Sequence, residues 1–339
     1  MVLVAVLLCG DIGGTGTRLA LFDPGRPLEP VALATSASGA VQDFDALCAT
    51  FLAGGAQIEA ACFGIAGPVL GRRVRPTNLP WLVDADALSA RLSGAPVFLL
   101  NDLEALAYGI TVLPADRSAV LNPGRAAPAG NIAVIAAGTG LGEAGLVWDG
   151  RRYVSVASEG GHTDFAPRSA REIELLRHLL SRYPHVSYER LVSGPGLVHV
   201  LEYLRDVEGS AVPPPLAARL DGPGAAAAIT EAALAGTAPI AAAALDLFVA
   251  MYGAEAGNFA LKLKATGGVW VGGGIAPKIL PKLQDGTFRA AFLAKGRFAA
   301  FLAEIPVRVV LDERTVLYGA ARYARDRTVS PSATRADGD

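Results

Sequence analysis

The chain predicts an α/β fold built from two related halves, and three observations carry that reading. An apolar run over 2–9 breaks into Gly10-Asp11-Ile12-Gly13-Gly14-Thr15-Gly16-Thr17 and resumes as an alternating stretch over 18–23. The same pattern returns where the apolar run 131–137 turns through Gly138-Thr139-Gly140-Leu141-Gly142 and resumes over 143–148, before the hairpin dipeptide Asp149-Gly150. Strand-like and helix-like segments then alternate along the rest of the chain. Two strand-loop-strand units that both turn on Gly and Thr suggest a duplicated fold closing two sets of backbone amides around a phosphate chain.

The elements follow in order. Strands are expected at 2–9, 17–23 and 29–35, a helix at 43–53, and a strand at 59–65 ending in Ala66-Gly67-Pro68. Residues 71–81 read as a loop with an Asn78-Leu79-Pro80-Trp81 turn, and Asp84-Ala85-Asp86 starts a helix with acidic first-turn residues. A strand at 96–100 stops at Asn101-Asp102, ahead of a helix over 103–113. The Pro/Gly/Ala-rich piece 114–130 reads as a connector between domains. Strands resume at 131, and helices dominate after Arg171; the Ala-rich segment 225–244 carries Thr, Glu, Gly and Pro and reads as two packed helices. A strand at 268–272 runs into Gly272-Gly273-Gly274, and a last helix at about 314–325 precedes a polar end, with 329–339 expected as a disordered tail.

Bulk properties frame the function. At 339 residues the chain exceeds the size that one core usually serves, so two domains are expected. Hydrophobic residues make up 52% and charged residues 18%, enough for a buried core; the net charge of -2 without a basic block argues against a nucleic-acid partner. Cys9, Cys48 and Cys62 are odd in number, lie in apolar surroundings and lack CxxC spacing, so they read as reduced core residues of a cytoplasmic protein. The apolar start lacks a basic flank and a cleavage site, and no other uninterrupted apolar run approaches the ~18 to 20 residues that span a bilayer, so no membrane partner is expected.

The first loop is neither a Walker A loop nor a dinucleotide fingerprint, because it lacks Lys and leads into a strand rather than a helix. It reads as a hairpin turn whose glycines let a ligand approach backbone amides. Asp11 would repel phosphate unless a cation lay between them, which suggests Mg²⁺; a strand-end cap is the other reading. Asp102 sits at the carboxyl end of a strand with a helix behind it, where ligands of α/β sheets gather, and suits either a general base or a helix cap. Glu159 and His162, three residues apart around two glycines, could present a carboxylate and an imidazole to vicinal hydroxyls. A metal site is the rival, although no cysteine lies nearby and no second His follows at i+4.

The ordered set Asp11-Ile12-Gly13-Gly14-Thr15, Leu100-Asn101-Asp102, Ala137-Gly138-Thr139-Gly140-Leu141-Gly142, Glu159-Gly160-Gly161-His162-Thr163-Asp164-Phe165-Ala166-Pro167, Leu191-Val192-Ser193-Gly194-Pro195-Gly196-Leu197 and Gly272-Gly273-Gly274-Ile275 resembles the bacterial ATP-dependent glucokinases. That family belongs to the superfamily of actin, hexokinase and the heat-shock ATPase chaperones. The resemblance implies an actin-like ATPase (ribonuclease H-like) fold with two domains flanking a cleft. A small α/β domain would comprise 1–112 plus about 309–328, and a large one 113–308.

It also implies roles. Asp102 would be the catalytic base that accepts the proton of the sugar 6-hydroxyl. Asn101, Glu159, His162 and Glu189 would hold other sugar hydroxyls. Gly13, Gly14, Thr15, Gly16, Thr17, Gly138, Thr139 and Gly140 would line the ATP phosphates, Asp11 would face Mg²⁺ through water, and Gly272, Gly273 and Gly274 would approach the adenosine. Glucose and ATP are the implied substrates and a homodimer the family expectation. The related ROK kinases and repressors usually carry a Cys-rich zinc motif after the Glu-x-x-His element. Here Arg168-Ser169-Ala170-Arg171-Glu172 follows, so no structural zinc is expected. The competing readings are a kinase for another hexose or an N-acetylated amino sugar, and a non-enzymatic ATP-binding sugar sensor.

Overall fold

A computed structural model describes residues 5–328 apart from 27, 42, 77 and 78. Its described residues divide into two compact units, one drawn from within 1–115, 155–157 and 312–339, the other from 116–154 and 158–311. The expected tail over 329–339, Asn78 of the expected turn and the start of the strand at 2–9 fall outside the described residues.

In the first unit, β1 (Val6–Ile12), β2 (Gly16–Phe22), β3 (Pro30–Ala37), β4 (Ile58–Ile65) and β7 (Val97–Asn101) form a five-stranded sheet in the order β3-β2-β1-β4-β7. β1 pairs antiparallel with β2 and parallel with β4, and β4 pairs parallel with β7. The central strands β1 and β4 are buried over nearly their whole length, as strands covered on both faces must be, while β3 at the edge exposes alternate residues. Helix α1 (Phe44–Phe51) is capped by Asp43, which accepts from the Asp45 N–H. Two short strands, β5 (Arg73–Val74) and β6 (Val83–Asp84), pair across the segment read as a loop, and Asp84 caps α2 (Ala85–Arg91). Phe44 sits edge-on to Phe63 and stacks on Trp81, whose indole N–H donates to the Val41 carbonyl, so the loop is fixed by an aromatic anchor.

Helix α3 (Asp102–Ile110) follows β7, and the last helix among the described residues, Thr315–Thr328, packs across it. The crossing is close enough that a Cβ on Gly319 would collide with the Ala105 carbonyl and one on Gly109 with the Thr315 carbonyl. Glycine is required there by backbone contact. The terminal helix extends three residues beyond the expected 325, and α3 ends three residues before the expected 113.

In the second unit, β8 (Ser118–Pro123), β9 (Ile132–Ala137), β10 (Leu141–Trp148), β11 (Tyr153–Ser158), β12 (Gly268–Gly272) and β13 (Pro306–Val310) form a sheet ordered β11-β10-β9-β12-β13-β8. Its first five positions repeat the order of the first sheet, an antiparallel hairpin continued by two parallel strands, so the duplication read from the loops extends to topology. The segment 114–130 is not a plain connector. It contains the edge strand β8, held by Asn122, whose amide donates to the Ala303 and Ile305 carbonyls while its oxygen accepts from Arg289.

Helices α4 (Ala170–Leu180), α5 (Gly194–Asp206), α6 (Pro214–Ala217), α7 (Ala225–Leu234), α8 (Pro239–Leu263), α9 (Leu280–Leu283), α10 (Thr287–Leu293) and α11 (Ala299–Ala303) complete the unit, and the terminal helix is α12. The Ala-rich segment forms α7 and the start of α8, as expected of two packed helices. With 25 residues, α8 is long and apolar enough to cross a membrane by length and composition alone. Here Phe248, Val249, Met251, Tyr252 and Phe259 bury it in the core of this unit.

Candidate active site

In the first unit, β1 carries Asp11 at its carboxyl end and turns through Gly13, Gly14 and Thr15 into β2. Gly10, Asp11, Gly16 and Thr17, read as loop residues, are paired strand residues instead. The turn closes with the Gly13 N–H donating to the Gly16 carbonyl at 3.0 Å. Ser38, which the sequence did not mark, braces it from the 3₁₀ turn that follows β3: its hydroxyl donates to the Gly13 carbonyl at 2.7 Å and lies 2.9 Å from the Thr17 hydroxyl, and its N–H donates to the Thr15 carbonyl. Thr17 is therefore buried with its hydroxyl engaged on Ser38, where it shapes the loop. Ser38→Ala is expected to cost about 1 kcal/mol of stability, which calorimetry would check.

Asp11 pairs across the hairpin with Arg18, whose guanidinium reaches Oδ2 at 3.1 Å and then Glu313 at 2.7 Å. Burial raises the Asp11 pKa above the usual aspartate value, opposed by the Arg18 charge and hydrogen bond. Among the described residues no group of three or more His, Cys, Asp or Glu side chains is placed to hold a metal with protein ligands alone. A single carboxylate beside an open glycine turn does fit a cation that keeps its waters and takes its other ligands from phosphate oxygens.

Asn101 and Asp102 stand where β7 runs into α3. The cap is Asn101: its side-chain oxygen accepts from the Leu103 N–H at 2.9 Å, and Glu104 reaches back to the Asn101 N–H at 3.1 Å, a capping box. The Asn101 amide donates to the Gly67 carbonyl, tying the Ala66-Gly67-Pro68 loop to this corner. Asp102 is the first helical residue, where its carboxylate also accepts from the Leu103 N–H. The capping alternative for Asp102 thus belongs to its neighbour. Glu104 is itself held by the Ser155 hydroxyl at 2.6 Å, so the corner is fixed on several sides.

In the second unit the remaining candidates converge. Glu159 precedes a 3₁₀ turn, Gly160–His162, and Glu189 lies in another, Tyr188–Arg190. Backbone bonds from Phe165 to Val186 and from Tyr188 to Thr163 stitch the two turns together. His162 Nδ1 then lies 3.9 Å from Glu189 Oε1, while Glu189 Oε2 accepts from the Leu141 N–H at 3.0 Å, at the end of the Gly138-Thr139-Gly140 turn. Glu159 and His162 are exposed and Glu189 half-buried.

The glycine turns of this unit share one sheet end. The Gly138 carbonyl accepts from the Gly194 N–H at 2.8 Å, which places the N-terminus of α5, capped by Ser193, beside the turn. The next parallel strand ends at Gly272, and Gly273 turns at φ +82° against Ala137, where a Cβ would strike the backbone. Amide N–H groups and a helix N-terminus gathered at the carboxyl ends of β9 and β12 make a cradle suited to an anion.

A protein-family profile described as Glucokinase matches residues 8–327. The chain belongs to the glucokinase family. It is 40% identical to a glucokinase of a Nostoc species over 95% of this chain and 99% of that one, and 42% identical to a Synechocystis glucokinase over 93% and 96%. Among solved structures, the glucokinase of an Antarctic psychrotroph superposes with a TM-score of 0.84 at 31% identity, covering 95% of this chain and 99% of the other. The fold is therefore that of the actin-like sugar kinases, and the enzyme is an ATP-dependent hexose kinase. At the position where a ROK zinc motif would begin, Arg168 and Glu172 of this glucokinase family member form a close ion pair, with the Arg168 N–H also donating to the Glu172 carboxylate at 2.6 Å.

Proposed function

We propose that the chain transfers the γ-phosphoryl group of ATP to the 6-hydroxyl of glucose, with Asp102 as the base and Glu159, His162, Glu189 and Asn101 as partners of the sugar hydroxyls. One observation carries this reading: the Glu189 carboxylate and the His162 imidazole, drawn from separate turns, lie 3.9 Å apart beside a glycine turn whose next amide is already bonded to Glu189. Acceptor groups and phosphate-type amides thus share one neighbourhood. Gly138, Thr139 and Gly140, with the α5 N-terminus, would cradle phosphate oxygens, Gly13 to Gly16 would do the same from the first hairpin, and Gly272 to Gly274 would border the adenosine.

Phosphoryl transfer needs little covalent work from a protein and depends on positioning and charge stabilisation. Asp11 would hold Mg²⁺ through water, a cation that would supply charge neutralisation at the phosphates. Asp102 would take the acceptor proton as the 6-oxygen attacks phosphorus, and the hydroxyl partners would fix which oxygen points at it. The cytoplasm is the proposed compartment, supported by Cys9 and Cys62, neighbours in register on adjacent strands, both fully buried and unbridged.

A coupled assay with ATP, Mg²⁺ and a panel of hexoses tests the substrate assignment. Turnover of glucose well above mannose and N-acetylglucosamine is expected. Equal or faster turnover of an N-acetylated amino sugar would replace glucose as acceptor, and no turnover of any sugar would leave only an ATP-binding role.

A further inference from the structure

Beneath the Glu159–His162 turn lies a buried acidic pair that the mechanism above does not use. Glu143 on β10 and Glu255 on α8 are each almost fully buried, and Glu255 lies near enough for its charge to raise the Glu143 pKa. Two ionised carboxylates can only accept and repel, so neighbouring buried carboxyls favour a proton held by one of them. Glu143 Oε1 is buried without a hydrogen-bond partner, an orphaned atom that a proton on this carboxyl accounts for. The pair also reaches both ligand-bearing turns. Glu143 packs so tightly under Gly160 that a Cβ there would overlap its carboxylate. Glu255 accepts from the Asn258 amide at 2.7 Å, and that amide donates to the hydroxyl of Tyr188, the neighbour of Glu189, at 3.0 Å.

We propose that Glu143 and Glu255 are positioning residues of the sugar site, a proton-sharing pair that braces from below the two turns presenting Glu159, His162 and Glu189. The proposal rests on the sugar-site reading given above. The groups facing the pair are few. From α8, Lys262 lies 3.4 Å from Glu255, and Tyr252 stands close enough to feel the Glu143 charge. Tyr188 faces it from the second turn, and Lys295 joins through Asn258. Burial, and then the neighbouring Glu255 charge, push the Glu143 carboxyl up to about 8, against the opposing pull of Lys262.

The shared proton is therefore present at neutral pH and lost in mildly alkaline solution. Two buried like charges would then repel beneath Gly160 and loosen the turn above. Glucose affinity should fall while the base on α3 is untouched, so KM rises with little change in kcat.

The test is calorimetric titration of glucose into the full chain from pH 6.5 to 9.5, for wild type, Glu143→Gln and Glu143→Ala, with kcat and melting temperature alongside. Glutamine keeps the shape and donor capacity of the protonated acid. Wild type and Glu143→Gln should bind alike at pH 7. Wild-type affinity should then fall roughly tenfold per pH unit above the pair's titration, while Glu143→Gln stays flat. Glu143→Ala should bind weakly at every pH while still melting cooperatively. A Glu143→Gln curve that falls in parallel with wild type, or a wild-type curve flat to pH 9.5, would overturn the proposal. Wild type that phosphorylates glucose while Glu159→Ala and His162→Ala bind it normally would instead remove the sugar-site reading, and this proposal with it.

Discussion

Asp102→Ala is expected to lower glucose turnover by on the order of 10²- to 10⁴-fold while leaving glucose affinity within about threefold of wild type. The separation follows from where the groups sit. The proposed hydroxyl partners Glu159, His162 and Glu189 belong to two stitched turns of the second unit, and Asp102 is not needed to build them. Nor is it needed to build its own corner, because Asn101 and Glu104 complete the capping box without it. The loss should therefore fall on the chemical step. Asp102→Asn, which keeps the shape and removes the proton acceptor, should behave the same way. Near-native turnover of either variant with binding intact would remove Asp102 from the role of base.

Gly319→Val should destabilise the first unit by about 3 kcal/mol or more. The cause is backbone contact: the new side chain would meet the Ala105 carbonyl and the Gly109 N–H at the crossing of α12 and α3, and backbone cannot repack as a side-chain tip can. The helices must separate. Since α3 begins at Asp102, separation displaces the proposed base as well, and activity should fall with stability rather than independently of it. Gly319→Ala should show a smaller loss of the same sign. Chemical denaturation monitored by the fluorescence of Trp81, buried in this unit, reads the effect; an unchanged midpoint for Gly319→Val would contradict the packing described.

Much of this was legible in the sequence because it is local. The period-two alternation after each glycine turn marked β2 and β10, and the run into Gly272-Gly273-Gly274 gave β12 with its observed ends. The Gly/Thr turns disclosed the duplication that the two strand orders share. What escaped depends on partners distant along the chain. β8 hides in Pro/Gly/Ala-rich sequence because an edge strand needs little apolar patterning when Asn122 anchors it to Ala303 and Ile305. Ser38 looks like any loop serine until β3 returns beside the first turn.

The Asn101-Asp102 pair shows a different limit. Both residue types cap helices well, so the sequence alone could not say which one does. The glutamate three residues after Asn101 was the signal that would have decided it. Glu143 reads as an ordinary polar residue in an alternating strand, and only the fold sets it against Glu255 under Gly160.

The measurement that bears most directly on the central claim is a crystal structure of the chain with glucose and a non-hydrolysable ATP analogue. The sugar 6-hydroxyl is expected within hydrogen-bond distance of the Asp102 carboxylate, its other hydroxyls on Asn101, Glu159, His162 and Glu189, and the phosphates against the Gly13–Gly16 and Gly138–Gly140 turns. A glucose bound away from Glu159, His162 and Glu189, or one presenting a different hydroxyl to Asp102, would contradict that claim.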